Sequence, residues 1–247
     1  MKRKVLRRTS AAVVGALIVS VALSLLLAAG GHESKVPVRA ADGMFVMDDF
    51  ESGALTGWRA VGSGSGGWFV YSNGSKAPDP AQSDPNVPFD FWYPPQGRFA
   101  AVTDMNGPGT LILYRDVKLD GRFMLRLTEF HASASDFSTP RTLASDEPGD
   151  NQQFRIDLVA PSAPIDSLAP GDVLVNVFKT STSEPYQREP TAVKVDVSHW
   201  AGQTVRLRLA VADNTGPLRV GVDGRALIGC HGEVLRECAP ACVHSQT

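Results

Sequence analysis

Apolar and polar side chains alternate with a period of two along the middle of this chain. In Arg122-Phe123-Met124-Leu125-Arg126-Leu127, in Phe154-Arg155-Ile156-Asp157-Leu158 and in Val205-Arg206-Leu207-Arg208-Leu209 they take turns, as a strand buried on one face requires. Further strands are predicted at Met44 to Phe50, Trp68 to Tyr71, Phe99 to Thr103, Thr110 to Val117, Val173 to Phe178, Ala192 to Val197 and Leu218 to Ile228. About ten strands separated by Gly, Pro, Asn and Asp turns, with no convincing amphipathic helix, predict an all-β fold of two packed antiparallel sheets.

Three long loops interrupt the pattern. Ser72 to Gly97 is crowded with prolines and carries Phe89, Phe91, Trp92 and Tyr93; Ala132 to Asn151 is polar and turns acidic; Pro161 to Gly171 is stiffened by three prolines. Loops of such length commonly carry function. Gly62-Ser63-Gly64-Ser65-Gly66 reads as a mobile loop. Asn73-Gly74-Ser75 has the form of a glycosylation sequon, and no internal repeat is found.

The N-terminus departs from this β pattern. Lys2, Arg3, Lys4, Arg7 and Arg8 lead into an apolar segment from Ala11 to Gly31, the order of an export helix whose cationic head stays in the cytoplasm. Residues 1–40 are therefore predicted to be a signal peptide or a signal anchor. Cleavage at Ala28-Ala29-Gly30 or Val38-Arg39-Ala40 would release a secreted protein. Retention would leave a single-pass anchor with residues 41–229 and the tail 230–247 outside, the only membrane contact expected.

The net charge of -2 includes that basic head, so the exported part is more acidic than the whole. No run shows the basic face that nucleic acid requires. Cys230, Cys238 and Cys242 cluster in the tail with His231 and His244. One disulfide with one free thiol, a metal cluster, or a poorly ordered tail are all compatible with that spacing, and the pairing stays open.

Catalytic patterns are sparse. No dense acidic strand motif of the glycosidase kind occurs. The glycine-serine run lacks the helix that a nucleophile elbow needs. Glu129 and His131 share one strand face at a spacing common in half-solvated strands. The chain is therefore expected not to be an enzyme.

Asp48-Asp49-Phe50-Glu51-Ser52-Gly53, followed by Gly57-Trp58 and Trp68, resembles the opening of the jelly-roll β-sandwich domains grouped as galactose-binding-like, which include many carbohydrate-binding modules, and of the related MAM domains. His199 to Leu207 is similar to their penultimate strand, Gly221-Val222-Asp223 to their closing strand, and Gly97 to Asp104 to the small-residue strand after their first long loop. The resemblance spans Met47 to Ile228 and departs at Gly224, where a second polar residue is usual. In such jelly rolls the first and last strands lie side by side and share a structural calcium. The resemblance thus implies calcium at Asp49, Glu51 and Asp223, with Asp104 a weaker addition; turn charges and an arginine pair are the alternative for these carboxylates.

Sugar rings present apolar C–H faces that stack on an exposed Trp or Tyr while nearby Asp, Asn and Gln hold the hydroxyls. Trp92 and Tyr93, beside Asp90, Phe91 and Gln96, are the expected platform, with Trp68 and Tyr71 leading into the same loop. The competing expectation is that Trp58 and Trp68 belong to the core and that Phe91, Trp92 and Tyr93 pin the loop down. The function expected is an exported, non-catalytic module binding carbohydrate or a cell-surface polymer at the cell envelope or beyond it. The alternative is a structural or adhesion module whose loop aromatics meet a protein partner.

Overall fold

The computed structural model describes residues 44–72, 91–138, 142–144, 146 and 148–229. The predicted export segment, Asp90, the sequon-like Asn73-Gly74-Ser75 and the cysteine tail lie outside the described residues.

The described chain forms a jelly-roll β-sandwich. The first sheet runs β3 (Gly66–Ser72), β4 (Phe99–Met105), β11 (Leu218–Gly229), β6 (Phe123–Ser133), β9 (Gln187–Asp196), with β1 (Met44–Asp48) also paired to β11. The second runs β2 (Arg59–Ser63), β5 (Gly109–Lys118), β10 (Thr204–Asp213), β7 (Gln153–Val159), β8 (Val173–Lys179). All strand pairings are antiparallel. The chain crosses between sheets after almost every strand from β2 onward, so each sheet is assembled from segments distant in sequence.

The alternation finds its inner face as expected. Leu125 and Leu127, Phe154, Ile156 and Leu158, and Val205, Leu207 and Leu209 meet in one core with Val220, Val222, Leu111, Leu113, Phe50, Trp58 and Trp68. Each such side chain contributes about 1.5–3 kcal/mol by leaving water. The outer face of the second sheet differs from a solvated one: Arg155, Asp157 and Arg208 are buried there too. Arg208 donates to the Ile165 and Ser167 carbonyls at 2.7 and 2.8 Å and to Asp157 Oδ2 at 2.7 Å. Arg155 and Asn176 complete the shell of Asp157 at 2.7 and 2.8 Å. The proline-stiffened third loop is therefore fastened over this face by a guanidinium, and the polar positions that the period places outward are covered by it.

The glycine-serine run is ordered strand and corner. β2 was not legible because all five of its residues are exposed and give no alternation. Past Ser63 the chain turns from the second sheet into the first, and the strands it crosses leave no room for side chains. A Cβ on Gly62 would overlap the Thr110 carbonyl oxygen, and one on Gly66, at φ +98°, the Asp104 carbonyl oxygen. Glycine is thus required twice over, by close approach and by a left-handed backbone. Replacing Gly66 by Ala is expected to cost about 3 kcal/mol, whereas Gly202→Ala, with φ +81° but open space around it, should cost about 1 kcal/mol. Urea unfolding followed by tryptophan fluorescence measures both; equal losses would remove the corner as a constraint.

Candidate functional site

The proline-rich loop re-enters at Phe91 and lies on the outer face of the first sheet. Phe91 and Trp92 are half-buried against Phe69, Tyr71, Ala100, Val102 and Phe130. The Phe91 and Phe130 rings stand 5.1 Å apart. Their burial glues the loop to the sheet and turns the next residue outward: Tyr93 is 68% exposed. With Ser72, Pro94, Gly97 and Arg98 it lines an open cleft of about 350 Å³.

Two carboxylates fix the far end of this loop. Asp223 Oδ2 accepts the Gln96 N–H at 2.8 Å, and Glu51 Oε1 accepts those of Arg98 and Phe99 at 2.8 and 3.0 Å. Gly97, at φ +65°, leaves the space its Cβ would take to the Glu51 carboxylate. Gly224 has the same role opposite: its φ is +57°, and a Cβ there would lie 2.5 Å from the Gln96 side chain. That close approach is a physical reason for the departure at Gly224 from the polar residue usual in the families it resembles.

Beneath the clamp lies a buried cation. Arg225, fully buried, sits 4.0 Å from both the Phe50 and the Trp58 rings. Its guanidinium nitrogens have no hydrogen-bond partner among the described residues. Burial pulls its pKa down to about 9 against the opposing charges of Asp48 and Asp223. Asp48 ties the aromatic pair together, accepting from Trp58 Nε1 at 2.6 Å and from the Phe50 backbone N–H at 2.8 Å. Burial also raises Asp223, to about 6, with Glu51 adding to the rise and the Gln96 and Gly224 N–H groups and Arg225 opposing it.

The anticipated residues separate on this geometry. Tyr93 faces solvent at a cleft, while Phe91 and Trp92 anchor. Trp68 and Tyr71 require correction as stacking surfaces: at 9% and 2% exposure they are packed in the main core and under the loop, because the pleat turns Trp68 inward and the loop covers Tyr71. Glu51 and Asp223 hold the same loop segment. Asp49 is exposed and accepts the Glu51 N–H at 3.1 Å. Among the described residues no three His, Cys, Asp or Glu side chains converge as a metal cluster. Asp104 faces Arg219 at 3.2 Å.

Glu129 and His131 do share a face, but it is the inner one. Both are fully buried, Arg188 Nε lies 2.6 Å from Glu129, and His131 Nε2 is 3.2 Å from the Pro185 carbonyl oxygen. The pair has no open side for a substrate. Asp48, Arg225 and the clamping role of Glu51 were missed. The clustering of Asp48, Phe50 and Trp58 was a usable signal for the first; nothing local marks Arg225 as buried.

No family model and no curated protein matches the chain. Among solved structures, it is similar to the K1 cleaved adhesin domain of Lys-gingipain from Porphyromonas gingivalis W83, at 11% identity and TM-score 0.43, covering 76% of this chain and 99% of that one. A carbohydrate-binding module, TmCBM61, in complex with β-1,4-galactotriose gives 12% identity and TM-score 0.42 over 72% and 92% of the two chains. The family 11 carbohydrate-binding module from Clostridium thermocellum, in complex with a mixed-linked tetrasaccharide, gives 10% and 0.36 over 75% and 95%. Likenesses this distant transfer neither a ligand nor a site; the jelly-roll assignment rests on the sheets themselves.

Asp223 yields a signed expectation. A folded pKa of about 6 against an ordinary 3.8 means that the folded protein holds this proton more tightly than the unfolded chain does. Its contribution is most favourable below pH 3.8 and is lost as pH rises to about 6, a change of about 3 kcal/mol. In chelator, the unfolding midpoint of Asp223→Asn should therefore gain on that of the parent between pH 4 and 6. Parallel curves for the two proteins would show that Asp223 titrates normally.

Proposed function

We propose that this protein is an exported, non-catalytic binding module that takes carbohydrate on Tyr93 and the cleft beside it. The observation that carries the reading is the division of labour within one loop: Phe91 and Trp92 are used up as anchors, and Tyr93 stands 68% exposed over a cleft. A phenol ring held this way offers a flat apolar face to a sugar C–H surface. Ser72 and Arg98 at the rim supply polar partners for hydroxyls. Clamping by Glu51 and Asp223 pre-organises the platform, which lowers the ordering cost of binding. Burial of Glu129 and His131 supports a non-catalytic role, and the basic-then-apolar N-terminus supports delivery outside the cytoplasm.

Titration of the full-length protein with neutral and acidic polysaccharides tests this. Tyr93→Ala should weaken glycan binding by about tenfold or more without lowering the unfolding midpoint, since the ring is not part of a packed cluster. A folded protein that binds no glycan would favour the protein-binding alternative.

The proposed calcium belongs to the seam between Glu51 and Asp223. These carboxylates approach one loop segment closely enough for Glu51 to raise Asp223, and a hard divalent cation would offset that repulsion. Asp49 would have to leave its turn with Glu51 to join as a third carboxylate. Calcium is therefore expected to raise the unfolding midpoint and chelator to lower it, both effects disappearing in Glu51→Gln. A midpoint indifferent to calcium would leave the backbone N–H groups as sufficient partners.

A further inference from the structure

We propose that the Tyr93 cleft selects sugars carrying an anionic group, a uronate carboxylate or a sulfate ester, through Arg98. This inference rests on the carbohydrate reading of the cleft and specifies its substrate class. Among the described residues lining the cleft, Arg98 is the only charged one. Its guanidinium carbon lies 5.3 Å from the centroid of the Phe99 ring. One apolar side of the planar group is thus supported, and among the described residues its N–H edge has no acceptor. Among the described residues, no carboxylate lies within ion-pair distance of that guanidinium.

The nearest acid to consider is Glu51, bonded to this same stretch of backbone. Its Oε1 already accepts the N–H groups of Arg98 and Phe99, which oppose its charge and fix the Arg98 main chain beside Gly97. The loop therefore holds the base of Arg98 rigid while its head has no ion-pair partner among the described residues. A guanidinium fork matches the paired oxygens of a carboxylate or sulfate far better than it matches isolated hydroxyls. Beside an exposed tyrosine the combination suits a pyranose that stacks through its ring and presents an acidic substituent. The exported part of the chain is acidic overall, so this cation is not one of many on a basic surface.

The test is calorimetric titration of the full-length protein with polygalacturonate, with a sulfated galactan and with a neutral galactan, each at low and high salt. The parent should bind one or both acidic polymers at least about tenfold more tightly than the neutral one, and the gap should narrow in high salt. Whichever acidic polymer binds identifies the group. Arg98→Gln should close the gap by weakening the acidic polymer at least about tenfold, far more than the neutral one, with the unfolding midpoint unchanged, and Arg98→Lys should restore it in part. Equal affinity for acidic and neutral polymers, or a preference that survives Arg98→Gln, overturns the inference while the carbohydrate reading stands. Binding to none of the three, with none to other glycans, overturns the carbohydrate reading and this inference with it.

Discussion

The closing strand β11 has one edge and two partners on it. β4 pairs with its first half, Leu218 to Val222, and β1 with its second, Arg225 to Ile228, while β6 runs along the whole opposite edge. Between the two partners the register with β6 shifts between Asp223 and Ala226, and Gly224 is paired in none of the three ladders. There Asp223 Oδ1 accepts the Gly224 N–H at 2.6 Å and its Oδ2 that of Gln96 at 2.8 Å, while the Arg225 side chain enters the aromatic pair of Phe50 and Trp58. A strand irregularity is thereby converted into the support of the exposed cleft.

That conversion places unusual charges close together. Arg225 is wholly buried between two rings, with its pKa held down by desolvation, and Asp223 is held up by the same cause. Cation–π contact and the nearby carboxylates replace hydrogen bonds around the guanidinium. The outer face of the second sheet solves a comparable problem differently. There Arg208 has direct partners in Asp157 and two loop carbonyls, so its burial fastens the third loop firmly. Both arginines organise loops from within a sheet; only the one under Asp223 lies next to the candidate site.

The same arrangement explains why Tyr93 alone is exposed among the described aromatics of the loop. The strip of the first sheet formed by Phe69, Tyr71, Ala100, Val102 and Phe130 is apolar and would otherwise face water. Phe91 and Trp92 cover it, and Gly221 admits the Phe130 ring because a Cβ there would overlap that ring. Tyr93 follows the covered strip and projects beyond it. Exposure at this position is a by-product of where the cover ends.

The sequence by itself determined the all-β class, most of the strands and the inner face of the sandwich, because a period of two is a local property that survives any arrangement of the sheets. It also determined the pairing of first strand with last through its resemblance to jelly rolls, and the prominence of the Phe91 to Tyr93 group. Residue type alone could not divide that group, since Trp92 and Tyr93 differ in burial only through the strip of sheet that lies under one of them. It left Trp68 with the core as one of two readings, and it could not place Arg208 and Arg225 in the interior or Glu129 and His131 on a closed face. Tertiary structure decided those, because burial depends on what another segment, dozens of residues away, lays across the position.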